Sequence, residues 1–128
     1  MLEIKKVNED ERGSIYSITG DEIKPHHELV ILCTKKGYAR GGCIHYKNAE
    51  YVVIIEGKAD YYIRRAQIWM KKGDTEYIPA TAPHYLVSKT DSIIMEWGPE
   101  PNEKDTKDSV MREYVNKINR KAKEAEHV

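Results

Sequence analysis

The chain has 128 residues, and its 21 Lys and Arg residues balance its 21 Asp and Glu residues, so that the formal net charge is +0. This length favours a single domain with a core of its own, and the balanced charge argues against a nucleic-acid-binding protein, which usually concentrates excess Lys and Arg. No apolar run approaches the roughly 20 residues that cross a bilayer, and no signal peptide is recognisable. The two cysteines, Cys33 and Cys43, are too few for a disulfide framework. Together these features predict a cytoplasmic protein without membrane contact.

Short β-rich segments fill the middle of the sequence, and each is rich in Val, Ile and Tyr and bounded by Gly, Pro, Asn or Asp. The predicted strands are ELVILCT (28–34), CIHYK (43–47), EYVVIIEG (50–57), ADYYI (59–63), TEYIP (75–79), HYLVS (84–88) and SIIMEWG (92–98). A new strand about every ten residues is typical of a β-sandwich or barrel. We therefore predict an all-β fold with its core at 28–98, preceded by an N-terminal strand or arm at 1–27.

The C-terminal part, 99–128, is predicted to be a linker and an amphipathic helix. The prolines in the segment 98–102 end the sheet, because proline removes a donor from the strand ladder. A helix is predicted from about Asp105, with Asp105, Thr106 or Asp108 as its N-cap. Its apolar residues, which follow a spacing of three to four, are Val110, Met111, Tyr114, Val115 and Ile118. This stripe is predicted to dock on the barrel or on a second subunit.

Four side chains form the candidate site. Cys43 and His45 are two apart in a strand and therefore lie on the same face. A short turn near Lys47 is expected to bring Glu50 onto the neighbouring strand, and His84 opens a strand distant in sequence. Cys, His, Glu and His together suit one divalent transition metal such as zinc, nickel, iron or manganese, and a thiolate favours zinc, nickel or copper over iron or manganese.

The spacing of these residues resembles the cupin family. The first cupin motif, G-x5-H-x-H-x(3,4)-E-x6-G, is matched at Gly37, His45, Glu50 and Gly57, with Cys43 in place of the first histidine. The chain matches the second motif, G-x5-P-x-G-x2-H-x3-N, at its first glycine, its proline and its histidine, and differs from it at two positions. The matched positions are Gly73, Pro79 and His84, while Thr81 replaces a glycine and Ser88 the asparagine. The resemblance covers about residues 28–98 and implies a double-stranded β-helix (jelly-roll) barrel, often dimeric, with its site in the barrel mouth; a homodimer is therefore predicted.

A narrower resemblance concerns the segment 40–47, which is similar to the R-G-x-H-x-H-K stretch of cupins that act on nucleotide sugars, the thymidine-diphospho-4-keto-6-deoxyhexose 3,4-ketoisomerases and their WxcM-like relatives. The segment 10–13 also looks like the D-x-R-G turn of that group. The resemblance implies that His45 exchanges a proton with the sugar and that Arg40 contacts the substrate. Cys43 stands where that group has its other histidine, and Lys47 is displaced by one residue.

Three functions remain open from the sequence, each with a small-molecule partner. The first is a sugar-modifying isomerase or epimerase that acts on a nucleotide-linked keto sugar by proton transfer, with His45, Cys43 and Arg40 as catalytic residues. The second is a metal-dependent enzyme, either a dioxygenase or a metal-assisted isomerase. Its predicted ligands are Cys43, His45, Glu50 and His84. The third is a non-catalytic module that binds a small ligand or a metal.

Overall fold

Strands dominate the structure, a computed structural model that describes residues 1–23, 28–46, 48–98 and 106–126. The strands are β1 Glu3–Asp10, β2 Gly13–Thr19, β3 Leu29–Thr34, β4 Ala39–Ile44, β5 Glu50–Glu56, β6 Lys58–Ile63, β7 Ala66–Lys71, β8 Thr75–Ile78, β9 His84–Ser88, β10 Ser92–Trp97 and β11 Thr106–Lys107. A short 3₁₀ turn covers Asp21–Ile23, and one helix, α1, covers Ser109–Glu126. The predicted all-β class with a C-terminal helix is confirmed.

The strands form two antiparallel sheets that enclose one core between them. The first sheet has six strands in the order β1-β2-β3-β10-β5-β8, and the second has five in the order β11-β4-β9-β6-β7. From β3 to β6 the chain changes sheet at every connection, and it does so again between β8, β9 and β10. This alternation gives the jelly-roll arrangement that the sequence motifs imply.

The core follows from the two-residue period of the strands. In β5, Val52 and Ile54 are fully buried, whereas the alternate residues Tyr51 and Ile55 are exposed. The same alternation in other strands completes one apolar cluster between the sheets, which includes Leu32, Ile63, Met70, Ile78, Leu86 and Ile94. Tyr61, with no exposed surface, lies in the same cluster.

The structure adds detail to the predicted elements. Residues 3–19, which the sequence analysis assigned to a strand or arm, form a hairpin that pairs with β3. The strand predicted at 43–47 begins earlier, at Ala39, and ends at Ile44, so His45 follows it; Lys47 lies outside the described residues. β7 was not predicted, because its exposed Trp69 and its polar residues obscure the alternation.

Helix α1 packs on β4 and protects the backbone of that strand. Asp108 is the N-cap, since its Oδ1 accepts a hydrogen bond of 2.9 Å from the Met111 N–H, whereas the alternative Asp105 lies outside the described residues. Val115 is buried against the barrel. Asn119 accepts from the Ala39 N–H at 2.7 Å and donates to its carbonyl at 3.1 Å, so its amide replaces a missing strand partner.

The outer face of the six-stranded sheet carries exposed apolar side chains. Tyr51, Ile55, Tyr77 and Ile93 are each at least a third exposed, and the ring of Tyr51 stacks on that of Trp97 with centroids 5.7 Å apart. The homodimer expected from the sequence stays a prediction. In the part of the chain that the structure describes, no helix is both long and apolar enough to span a membrane.

Candidate metal centre

A cavity of about 370 Å³ opens between the two sheets and contains all the site residues that the sequence predicted. Apolar residues form one part of its wall, among them Ile15, Val30, Leu32 and Leu86. The polar part of the wall consists of Arg12, Glu28, Arg40, Cys43, His45, Glu50, Tyr61, His84, Tyr85 and Glu96. Polar side chains thus converge on a partly open cavity that also has an apolar wall, and this combination is typical of ligand-binding sites.

A bulge in β4 directs Cys43 towards His84. The pairing between β4 and β9 shifts after Gly41, so that Cys43 lies opposite His84. Gly41 has a φ of +106°, and a Cβ on it would lie 3.0 Å from the Tyr85 Cα and 3.1 Å from the His84 carbonyl oxygen. Only glycine therefore allows β9 to approach closely enough to bring His84 to the thiol.

Three donor atoms from two parts of the chain, the end of β4 and the start of β9, converge at the cavity wall. The Cys43 Sγ lies 3.7 Å from the His84 Nε2 and 4.0 Å from the His45 Nε2. The ligand atoms of these three residues all lie within 4.8 Å of one another. The sequence prediction that Cys43 and His45 lie side by side, with His84 approaching from a distant strand, agrees with this geometry.

Glu50 joins the cluster from the opposite sheet. Its carboxylate is 2.8 Å from the His84 Nε2 and 3.7 Å from the His45 Nε2, and only 2% of the residue is exposed. The expectation that Glu50 lies on a strand next to the Cys43 strand was wrong, because β5 pairs with β8 and β10, whereas β4 belongs to the other sheet. The connection after His45 crosses the barrel, and Glu50 therefore faces the histidines across the core.

The environment of His84 fixes the orientation of its ring. Its Nδ1 is 2.9 Å from the Ala82 carbonyl oxygen, so Nδ1 carries a hydrogen that it donates, and Nε2 faces Cys43 and Glu50. Burial lowers the pKa of His84, but the hydrogen bonds with Cys43 and Glu50 outweigh it and raise this pKa to about 11. A backbone acceptor on the far nitrogen is the usual support of a metal-binding histidine.

The donor set fits a metal ion of the zinc type. Metal–sulfur and metal–nitrogen bonds of about 2.3 and 2.0 Å at tetrahedral angles place neighbouring donor atoms about 3.6 Å apart. The Sγ–Nε2 separations of 3.7 and 4.0 Å are close to this value. Thiolate and imidazole ligands favour zinc, nickel or copper over the harder manganese. Cys43, His45 and His84 would hold the ion, with the Glu50 carboxylate beside them.

Glu96 is a site residue that the sequence analysis missed. It lines the cavity from β10, and its Oε1 accepts a hydrogen bond of 3.1 Å from the Tyr61 hydroxyl. Burial raises the pKa of Glu96 to about 8, and the negative charge of Glu50 adds to this. The sequence did contain a sign of this role, because Ser92, Ile94 and Glu96 share the inward face of one strand, and a carboxylate is unusual on an inward face.

Arg40, predicted as a substrate contact, lies in the cavity wall and not in the donor cluster. It is 3% exposed, and its Nε donates to the Thr34 Oγ1 at 2.8 Å, while its Nη2 is 3.4 Å from the Cys33 carbonyl oxygen. Burial and the nearby charge of Arg12 lower the pKa of Arg40 to about 10. It therefore stays a cation at neutral pH.

Thr81 occupies a backbone conformation that suits glycine. Its φ is +71°, its side chain is exposed, and its N–H donates to the His45 carbonyl oxygen at 2.7 Å. Thr81→Gly should raise the free energy of unfolding by about 1 kcal/mol, because the relief of strain exceeds the entropy cost of glycine. Urea unfolding measures this effect, with Thr81→Ala as the control that removes the β-branch and keeps the strain. A Thr81→Gly variant less stable than the native chain would contradict the expectation.

The fold is similar to those of solved structures of proteins with larger chains. CapF from Staphylococcus aureus, a capsular polysaccharide assembling protein, matches with a TM-score of 0.68 and 21% identity over 84% of this chain and 32% of CapF. Oxalate decarboxylase from Bacillus subtilis at pH 4.6 matches with a TM-score of 0.69 and 18% identity over 80% of this chain and 29% of the decarboxylase. The chain thus spans about a third of the length of these proteins.

Sequence comparison adds nothing to this structural likeness, since no protein-family model and no curated protein sequence matches the chain. CapF and oxalate decarboxylase are both cupin-fold proteins, and the present chain matches about a third of each, with the motif residues at its cavity. At identities near 20% the likeness establishes architecture only. We conclude that this chain has the cupin fold.

Proposed function

We propose that this chain is a metal-dependent enzyme that acts on a small organic molecule. The observation that carries the proposal is the convergence of the Cys43, His45 and His84 donor atoms within 4.8 Å at the wall of a cavity. A structure of the similar B. subtilis oxalate decarboxylase concerns the Mn(II) centres of that protein, which supports a metal in this fold. The thiolate in the present chain favours a softer ion, and zinc is the first candidate.

The residues around the cluster have distinct tasks in such an enzyme. A bound divalent ion would supply Lewis-acid polarisation of a substrate oxygen. Glu96 retains its proton near neutral pH because its pKa is raised to about 8, so its carboxyl group can donate a proton to a substrate atom and take it back. The Tyr61 hydroxyl fixes the orientation of that carboxyl group. Apolar side chains such as Leu32 and Leu86 limit the access of water.

Metal content tests the proposal directly. The native chain, purified without added metal and then soaked with zinc, should hold about one equivalent of metal. With Co²⁺ as a probe, a charge-transfer absorption from thiolate to cobalt should appear, and Cys43→Ser should abolish it. Cys33→Ser is the matched control, because Cys33 alternates with the inward-facing Leu32 and lies outside the cluster.

Three outcomes would overturn parts of this proposal. Less than a tenth of an equivalent after soaking with zinc, nickel and manganese would remove the metal-dependent function. A charge-transfer band that survives in Cys43→Ser and disappears in Cys33→Ser would remove Cys43 as a ligand. A chain that binds metal but converts none of the small molecules that it binds would be a binding module, the third function left open by the sequence.

The likeness to CapF, a capsular polysaccharide assembling protein, favours a second candidate, an isomerase or epimerase of nucleotide-linked keto sugars. In that enzyme His45 and Cys43 would exchange the proton, and the Arg40 cation would steady the anionic substrate. Because this chemistry needs no metal, the chain treated with a chelator should be stabilised against heat by nucleotide diphospho-sugars. No thermal shift across a panel of such sugars would exclude this candidate.

A further inference from the structure

We propose that Arg112, which lies on α1 outside the cavity, is a positioning residue for the metal donor Cys43. Its guanidinium group holds the Gly41 carbonyl and thereby stabilises the bulge of β4 that turns the Cys43 thiol towards His84. The inference deepens the proposed function, and its prediction for metal affinity rests on that function. The placement of the thiol beside His84 can also be tested in metal-free protein.

The bulge consists of residues whose own backbone preferences do not fix it. The ladder between β4 and β9 passes from the Gly41–Tyr85 pair to the Cys43–His84 pair and skips Gly42. Gly41 and Gly42 have φ angles of +106° and +83°, and glycine exchanges such conformations for others at little cost. The freedom that permits the bulge therefore also allows it to relax, and contacts from outside the two glycines select the conformation that the site needs.

Contacts of this kind come from the start of α1. The Asp108 N–H donates to the Gly42 carbonyl oxygen at 3.0 Å, and the Arg112 Nη1 donates to the Gly41 carbonyl oxygen at 2.8 Å. A Cβ on Gly42 would lie 2.8 Å from the Arg112 Cδ and 3.2 Å from its backbone nitrogen, so Arg112 lies directly on the bulge. The carbonyls of both bulge glycines thus accept hydrogen bonds from one short segment, 108–112.

The guanidinium contact is separable from the docking of the helix. Val115 is fully buried against the barrel, and the Asn119 amide bonds both backbone groups of Ala39. Neither contact involves Arg112. Removal of its guanidinium group should therefore leave the helix in place and release the Gly41 carbonyl.

The thiol is the donor whose position depends on the bulge. The His84 ring is held independently, because its Nδ1 donates to the Ala82 carbonyl oxygen at 2.9 Å. Cys43 directly follows Gly42, so a rotation of the glycine peptides moves its Sγ relative to the His84 Nε2, which lies 3.7 Å away. This separation is close to the value of about 3.6 Å for two donors on a tetrahedral ion, and relaxation of the bulge would disturb it.

Metal titrations of Arg112 variants test the positioning role. Arg112→Met removes the guanidinium group and keeps an unbranched stem, and we expect it to weaken zinc binding by about 10- to 100-fold. Arg120→Met, which changes an exposed arginine of the same helix, should bind zinc as the native chain does. The Co²⁺ charge-transfer band should shift or weaken in Arg112→Met alone. Arg112→Lys should recover most of the affinity, because the contact with Gly41 uses a single N–H and needs no bidentate donor.

Two measurements on chelator-treated protein reveal the effect without metal. In a Cys33→Ser background, which leaves Cys43 as the only thiol, iodoacetamide should alkylate Arg112→Met several-fold faster than the chain with Arg112, because a relaxed bulge opens more often. The urea midpoint of Arg112→Met should stay close to that of Arg120→Met, because docking of the helix does not depend on the guanidinium group.

Native zinc affinity or a native alkylation rate in Arg112→Met would overturn the proposal. An Arg112→Met chain that fails to fold, or whose urea midpoint falls in step with its zinc affinity, would make Arg112 a structural residue and would also overturn it. Faster alkylation of Arg112→Met in a chain that never takes up metal would refute the metal-dependent function alone. Metal uptake together with native affinity and a native alkylation rate in Arg112→Met would refute the positioning role alone.

Discussion

His84→Ala should abolish stoichiometric metal binding and also destabilise the metal-free protein by about 3 kcal/mol, because removal of one partner of a buried ion pair leaves the other uncompensated. The imidazole of His84 lies 2.8 Å from the Glu50 carboxylate, and the two side chains are 5% and 3% exposed. Without His84, Glu50 must either remain charged in the core or take up a proton. The loss of a direct ligand should weaken zinc binding by more than about 100-fold, beyond the effect of losing a supporting residue.

Two measurements separate these effects of His84→Ala. Calorimetric titration with zinc gives the loss of affinity, and urea unfolding in the presence of a chelator gives the loss of stability without metal. Glu50→Gln in the His84→Ala background is the control, since it removes the uncompensated charge and should recover a large part of the lost stability. If His84→Ala is as stable as the native chain in chelator, the ion pair does not support the fold, and only the role of His84 as a ligand remains.

The local part of the site could be predicted from the sequence. Cys43 and His45 are two residues apart, and the predicted strand placed them on one side of the backbone. Although β4 ends before His45, the Cys43 Sγ and the His45 Nε2 lie 4.0 Å apart. His84 was identified because Gly73, Pro79 and His84 match the spacing of the second cupin motif. The strand positions could also be predicted, because the alternation of apolar residues and the turn residues are properties of short segments of the sequence.

The relations between distant segments could not be predicted in the same way. Alternation in β5 shows which residues share a face with Glu50, but it does not reveal which strands will pair with β5. The prediction therefore placed Glu50 beside Cys43 instead of across the core. Glu96 was missed because a single carboxylate in a strand acquires its role only from Tyr61 and Glu50, which approach it through tertiary packing.

The raised pKa of Glu96 predicts a pH dependence of stability in the metal-free protein. Burial and the charge of Glu50 raise this pKa from the usual 4.5 to about 8. Between these values the folded chain binds a proton that the unfolded chain has released, so this carboxyl group makes the protein less stable as the pH rises from about 4.5 to 8. Glu96→Gln removes this dependence, because a neutral amide fills the same position at every pH.

Glu96→Gln should therefore gain stability over the native chain as the pH rises, by up to about 1.4 kcal/mol per pH unit in this window and by a few kcal/mol in total. Urea unfolding in chelator at several pH values between 4.5 and 8.5 measures the difference. Tyr61→Phe is the informative control: the Tyr61 hydroxyl donates to the carboxylate and so opposes the rise in its pKa, and its loss should extend the decline in stability to higher pH. If the difference in free energy of unfolding between Glu96→Gln and the native chain does not change with pH, Glu96 is ionised in the folded protein at neutral pH. A carboxylate in that state has no proton to donate to a substrate.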